Sequence, residues 1–78
     1  MKVELNPISK NVNELKVGET EGLFSYKTLV AVDTGTGIFK TNEYHSRTTS
    51  KHINQWLGAA KAIEVSPEKL ECLLYGKD

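Results

Sequence analysis

Leu23 to Thr41 reads LFSYKTLVAVDTGTGIFKT, and the fold class follows from how this stretch is divided. Phe24, Tyr26, Thr28, Val30 and Val32 fall on one face at period two, the spacing of a half-buried strand. β-Branched and aromatic residues dominate it, as a pleated surface prefers. DTGTG follows, with two glycines able to take positive φ, and IFKT then resumes a strand pattern. Two strand runs around a short glycine-bearing loop predict a β-hairpin.

Working outward, the N-terminal side is weakly patterned. Val3 and Leu5 suit a short strand that Asn6-Pro7 should stop. Val12, Leu15 and Val17 suit either a helical turn or an irregular strand before Gly18. On the C-terminal side, Ile53, Trp56, Leu57 and Ala60 recur at i, i+3, i+4 and i+7, one apolar stripe of a helix. Thr48, Thr49 and Ser50 compete to cap that helix, with Thr49 or Ser50 expected at the N-cap, and Gly58 either ends it or weakens it. AIEV, Ala62 to Val65, suits a short strand. Ser66-Pro67 is a helix start, serine as cap and proline at the first position. Leu70, Leu73 and Leu74 give that helix its buried stripe, and Gly76 can close it. The expected fold is α+β: a β-hairpin and antiparallel sheet in the first half, then a helix, a short strand and a C-terminal helix. Residues 1–22 read as a weakly patterned N-terminal segment and 23–78 as a single α+β domain.

The chain has 78 residues, enough for one small domain whose core is modest. Cys72 is the only cysteine, so no disulfide closes within one chain. Cys72, His45 and His52 match no closed zinc spacing, and no metal or other cofactor is expected. Self-association is the remaining staple for so small a core, which keeps a homodimer open. Ten basic residues balance ten acidic ones, so the chain has no bulk attraction for nucleic acid or an anionic membrane. The charge is uneven: Lys40, Arg47, Lys51 and Lys61 stand against Glu43 alone, while Glu64, Glu68, Glu71 and Asp78 follow Ala62. No apolar run approaches the roughly 20 residues that cross a bilayer. With no apolar export signal and a lone thiol, the expected location is cytoplasmic, with no membrane partner.

Three motifs invite chemistry. VAVDTGTG looks like the catalytic signature of aspartic proteases, whose chemistry needs two carboxylates sharing one proton. A dimer would bring two copies of Asp33 together, but the chain is shorter than such proteases. The loop reading is favoured, with Asp33 accepting from backbone amides. A phosphate cradle would need the loop to run into a helix N-terminus, and here it runs into IFKT. Ser46 and Ser50 neighbour His45 and His52, but only Glu43 is near to orient a histidine. No catalytic residue is expected, and the chain reads as a non-enzyme.

What is left is Tyr44 to Lys61, YHSRTTSKHINQWLGAAK. Thr49, Ser50, Ile53, Trp56 and Leu57 read as structural, as caps and core. Tyr44, His45, Arg47, Lys51, His52 and Gln55 avoid the apolar stripe and form a basic, aromatic and amide surface at a helix start. Such a surface can hold a phosphate, a carboxylate or an acidic protein loop.

The runs S-Y-K-T-L-V-A at Ser25–Ala31 and S-R-T-T-S-K-H-I-N-Q-W-L at Ser46–Leu57 resemble a family of small uncharacterised proteins frequent in phages and other mobile elements. Its pattern runs S-Y-x-T-P-V-A, then a hairpin with a glycine, then an aromatic and S-x-T-T-S-K-H-I-N-x-W-L. Leu29 stands where that pattern has proline, and His45 where an aromatic is usual. The resemblance implies a small α+β module of phage or mobile-element origin with no established reaction. It also implies that Thr48, Thr49, Ser50, Lys51, His52, Asn54 and Trp56 act together.

The leading functional expectation is a binding module that docks on a host or defence protein. A nucleic-acid-binding accessory protein using the patch at 44–61 is the alternative, and a structural or assembly component the second.

Overall fold

The computed structural model describes residues 3–9, 11–43, 46–58 and 60–76. They form β1 (Val3–Ser9), β2 (Val12–Val17), β3 (Thr20–Ser25), β4 (Thr28–Asp33), β5 (Ile38–Thr41), α1 (Arg47–Leu57), β6 (Ile63–Val65) and α2 (Pro67–Tyr75). This is the expected α+β fold, strands first and helices later. One six-stranded sheet runs in sequence order from β1 to β6. All pairs are antiparallel except β5 with β6, because the connection between those two passes through α1 and returns the chain in the same direction. No described helix is long and apolar enough to cross a membrane.

The hairpin at Asp33–Ile38 forms as its glycines suggest. Gly35 takes φ +89° and donates its amide to Asp33 Oδ1 at 2.9 Å, so Asp33 caps a loop. The stretch before it differs from the single strand that its alternation implied. Ser25 pairs with Thr28, and Tyr26 and Lys27 between them make a two-residue turn with φ of 52° and 73°. Positive φ at both positions is what a tight hairpin requires, and it is normally met by Asn-Gly rather than Tyr-Lys. Each non-glycine residue there costs roughly 1–2 kcal/mol. Lys27→Gly is therefore expected to raise stability by about 0.5–1 kcal/mol, read as a higher thermal midpoint.

A bulge completes the correction. Leu23 faces Ala31 but Phe24 faces Leu29, leaving Val30 as the extra residue. Val30 is thus turned to the opposite face from Phe24 and Val32. Val30 and Ala31 join Val12, Leu23 and Ile53 in one buried cluster, with Trp56 and Leu57 packed against it. Leu29 and Val32 join Leu70 and Leu74 in the other, flanked by Leu15, Val17, Phe24, Phe39, Val65 and Leu73. α1 covers the first face and α2 the second. That is why four consecutive residues, Leu29–Val32, are all buried. At Gly22 a Cβ would lie 2.8 Å from Leu74 Cδ2, so glycine lets α2 approach β3.

The N-terminal residues hold a firm place in the same sheet. β1 does not stop at Asn6-Pro7 but continues to Ser9, with a register shift between Pro7 and Ser9. Proline is admitted because β1 is an edge strand, where a nitrogen can face away from the ladder. Val12–Val17 is a strand, not a helical turn. α2 matches its sequence signals: Ser66 caps it by accepting the Lys69 amide, and Gly76 ends it in the left-handed region, its amide donating to Cys72.

Candidate functional site

α1 begins earlier than its hydroxyl run suggested. Ser46, not Thr49 or Ser50, is the N-cap: its Oγ accepts the Thr49 amide at 3.0 Å, and the Ser50 amide donates to its carbonyl. Thr49 is consequently the third helical residue and is buried against the sheet. The helix ends at Gly58, whose amide donates to the Asn54 carbonyl, so Ala60 lies beyond it and is exposed.

The early start turns Thr49 and His52 toward β3, where Ser25 waits. Ser46 Oγ donates to Thr49 Oγ1 at 3.1 Å, Thr49 Oγ1 and Ser25 Oγ share a hydrogen bond at 3.2 Å, and Ser25 Oγ and His52 Nδ1 share another at 3.0 Å. His52 is thus half-buried and engaged, contrary to a solvent-facing placement. The Tyr26 ring lies beside it with centroids 6.1 Å apart, within the range of favourable ring contacts. The Tyr26 amide in turn donates to the Asn11 carbonyl at 2.8 Å, tying the β1–β2 turn to the β3–β4 turn. Ser25 is only 2% exposed, so its hydroxyl presents no accessible nucleophile and works as a bridge from sheet to helix.

One turn further on, Trp56 Nε1 donates to Glu14 Oε2 at 2.8 Å. A hydrogen bond to a carboxylate is stronger than a neutral one, and this one pins α1 to β2. Between α1 and β1 a recess of about 270 Å³ remains, lined by Ile8, Val12, Leu23, His52, Gln55 and Trp56. Its walls are mostly apolar, and Ile8 stands at its border 52% exposed. Arg47, Lys51 and Gln55, all exposed, follow one another at i+4 spacing and so form one row along the helix. No acidic residue occurs in α1.

Of the residues singled out in the sequence, Arg47, Lys51, His52 and Gln55 are therefore brought to one side of α1, with His52 and Gln55 lining the recess. Tyr44 and His45 lie outside the described residues. Ile53 is buried, and Trp56 and Leu57 are half-buried in the same cluster. Ile8, Ser25, Tyr26 and Glu14 were missed. Each belongs to a strand or turn distant in sequence, and no local pattern announces a cross-sheet partner.

Two other clefts are open and polar. Lys40, Asn42, Glu43, Ser50, Asn54 and Glu64 border one of about 280 Å³; Glu14, Glu21 and Asp33 border another. Among the described residues no group of three His, Cys, Asp or Glu side chains is placed to hold a metal ion.

No curated protein and no solved structure matches the chain significantly. A family model does, over residues 3–71. The match takes in every strand and α1 and runs into α2, so the whole arrangement around the recess lies inside it, and the chain belongs to the family of unknown function DUF8033.

Proposed function

We propose that this protein is a small non-enzymatic binding module, of phage or mobile-element type, that docks on a host or defence protein in the cytoplasm through the α1 side of its sheet. The observation that carries this reading is the recess between α1 and β1. It is a partly enclosed apolar space bordered by the imidazole of His52 and the amide of Gln55. An apolar centre inside a polar rim is the anatomy of a protein-binding hot spot. The phage or mobile-element origin rests on the resemblance of the Ser25–Ala31 and Ser46–Leu57 runs alone. The non-enzymatic reading is supported by the burial of Ser25, the one hydroxyl paired with an imidazole among the described residues.

The alternative is nucleic-acid binding, favoured by the exposed Arg47 and Lys51 of α1 and by the exposed Tyr26 ring beside His52. Zero net charge counts against it, since phosphate contacts supply most non-specific affinity.

The test is co-purification of the tagged chain from cells that carry it, comparing wild type with Arg47→Glu/Lys51→Glu. Both residues are exposed, so stability should change by no more than about 0.5 kcal/mol per site. A defined protein retained by wild type and lost by the variant is the expected result. Nucleic acid binding that follows Trp56 fluorescence and collapses with salt would replace this reading with the alternative.

A further inference from the structure

We infer that a second copy of this chain packs, about a two-fold axis, on the α2-side face of β1 and β2, making the protein a homodimer. That face is opposite the α1 recess, so the inference stands apart from the docking reading.

Strand register defines the face. Val3 lies opposite Val17, Leu5 opposite Leu15 and Pro7 opposite Asn13, and residues directly opposite share one side of a sheet. Leu15 and Val17 pack against the cluster around Leu70 and Leu74, so Val3 and Leu5 point to the α2 side as well. α2 itself lies over β3, β4 and β5, and Leu5 and Val3 are left 62% and 59% exposed.

Charge, shape and area commit this face to a second copy. Glu4, Glu14 and Lys16 alternate onto the α1 side, where Glu14 meets Trp56. Val3, Leu5, Pro7, Asn13, Leu15 and Val17 remain, and none carries a charge. Such a face sets no like charges together when it meets its own copy, and it offers an acidic or basic partner nothing to read. The shape is a step, with α2 standing one layer above the sheet beside the β1–β2 pair. A helix about 10 Å wide matches the roughly 10 Å between stacked sheets, so this step is its own complement under a two-fold rotation. The partner's β1 and β2 fill the layer beside α2, and its α2 comes to lie beyond the outer edge of β1. The area agrees. The chain exposes 5301 Å², whereas a monomer of 8.7 kDa exposes about 4,700 Å². The excess, about 600 Å² per copy, reaches the low end of a stable two-chain interface, about 1,200 Å² in total. Leu5 is the most exposed large apolar side chain among the described residues, so part of that excess lies here.

The test follows the mass of the full chain by analytical ultracentrifugation across concentration. A reversible dimer is expected. Leu5→Lys should weaken it about tenfold or more, while Ile8→Lys, on the recess side, should leave it unchanged. Circular dichroism should show both variants folded, since both sites are exposed. Should Leu5→Lys disturb the fold, wild type alone decides: a mixture of isotope-labelled and unlabelled chains should give contacts between copies from the Val3 and Leu5 methyl groups. A monomer up to about 1 mM, a dimer indifferent to Leu5→Lys or broken by a folded Ile8→Lys, or contacts between copies confined to other faces overturns the inference.

Discussion

Leu70→Ala lowers the stability of this domain by about 2–5 kcal/mol. Leu70 is fully buried and sits where α2 meets Leu29 and Val32 of β4. Truncation removes the transfer free energy of the missing carbons and leaves a cavity, because strands on one side and the rest of α2 on the other limit collapse. A chain of 78 residues is held by roughly 4–12 kcal/mol in total at typical values per residue, so the loss is a large fraction of what is available. In a domain of this size each kcal/mol moves the thermal midpoint by about 4–8 °C. Circular dichroism melts of the variant should show a midpoint at least about 8 °C lower. An unchanged midpoint would mean that α2 does not dock on the sheet as described.

Ser25→Ala has the second largest expected effect, about 1–3 kcal/mol. Its hydroxyl is shared between Thr49 Oγ1 and His52 Nδ1 and is buried, so removal breaks the link between β3 and α1 without offering water in exchange. Urea unfolding should show a lower midpoint at unchanged slope. The double variant Ser25→Ala/Thr49→Val should lose less than the sum of the single changes, since removing both buried partners strands neither. The imidazole nitrogen resonances of His52 should also shift, a response that loss of packing alone does not produce. Additive losses with an unmoved His52 spectrum would contradict the hydrogen-bonded chain.

The legible parts of the fold were those whose signal is local. Ser66-Pro67 with Leu70, Leu73, Leu74 and Gly76 marks α2 because cap, proline, stripe and terminator all act within one helix. DTGTG marks a hairpin because glycine and aspartate act on their own backbone. The helix at Ile53–Leu57 was legible from its stripe, yet its start was misplaced. Three later hydroxyls outnumbered Ser46, and only packing against Ser25 draws Thr49 inward. The turn at Tyr26–Lys27 was hidden for a similar reason: neither residue has the intrinsic preference for positive φ that marks a tight turn, and alternation across it mimicked one long strand.

The candidate site divides along the same line. Arg47, Lys51, His52 and Gln55 were found because a helix places residues three and four apart side by side, whatever surrounds it. Ile8, Glu14, Ser25 and Tyr26 were not, because their proximity to α1 depends on the order of strands across the sheet. Sequence alone determined the α+β class, the two helices, the loop at Asp33 and the basic row along α1, since each follows from the dihedral preferences and periodicity of neighbouring residues. Only the tertiary structure decided the strand count, the depth of His52 and the recess beside Trp56, since these arise where residues far apart in the chain meet across a sheet.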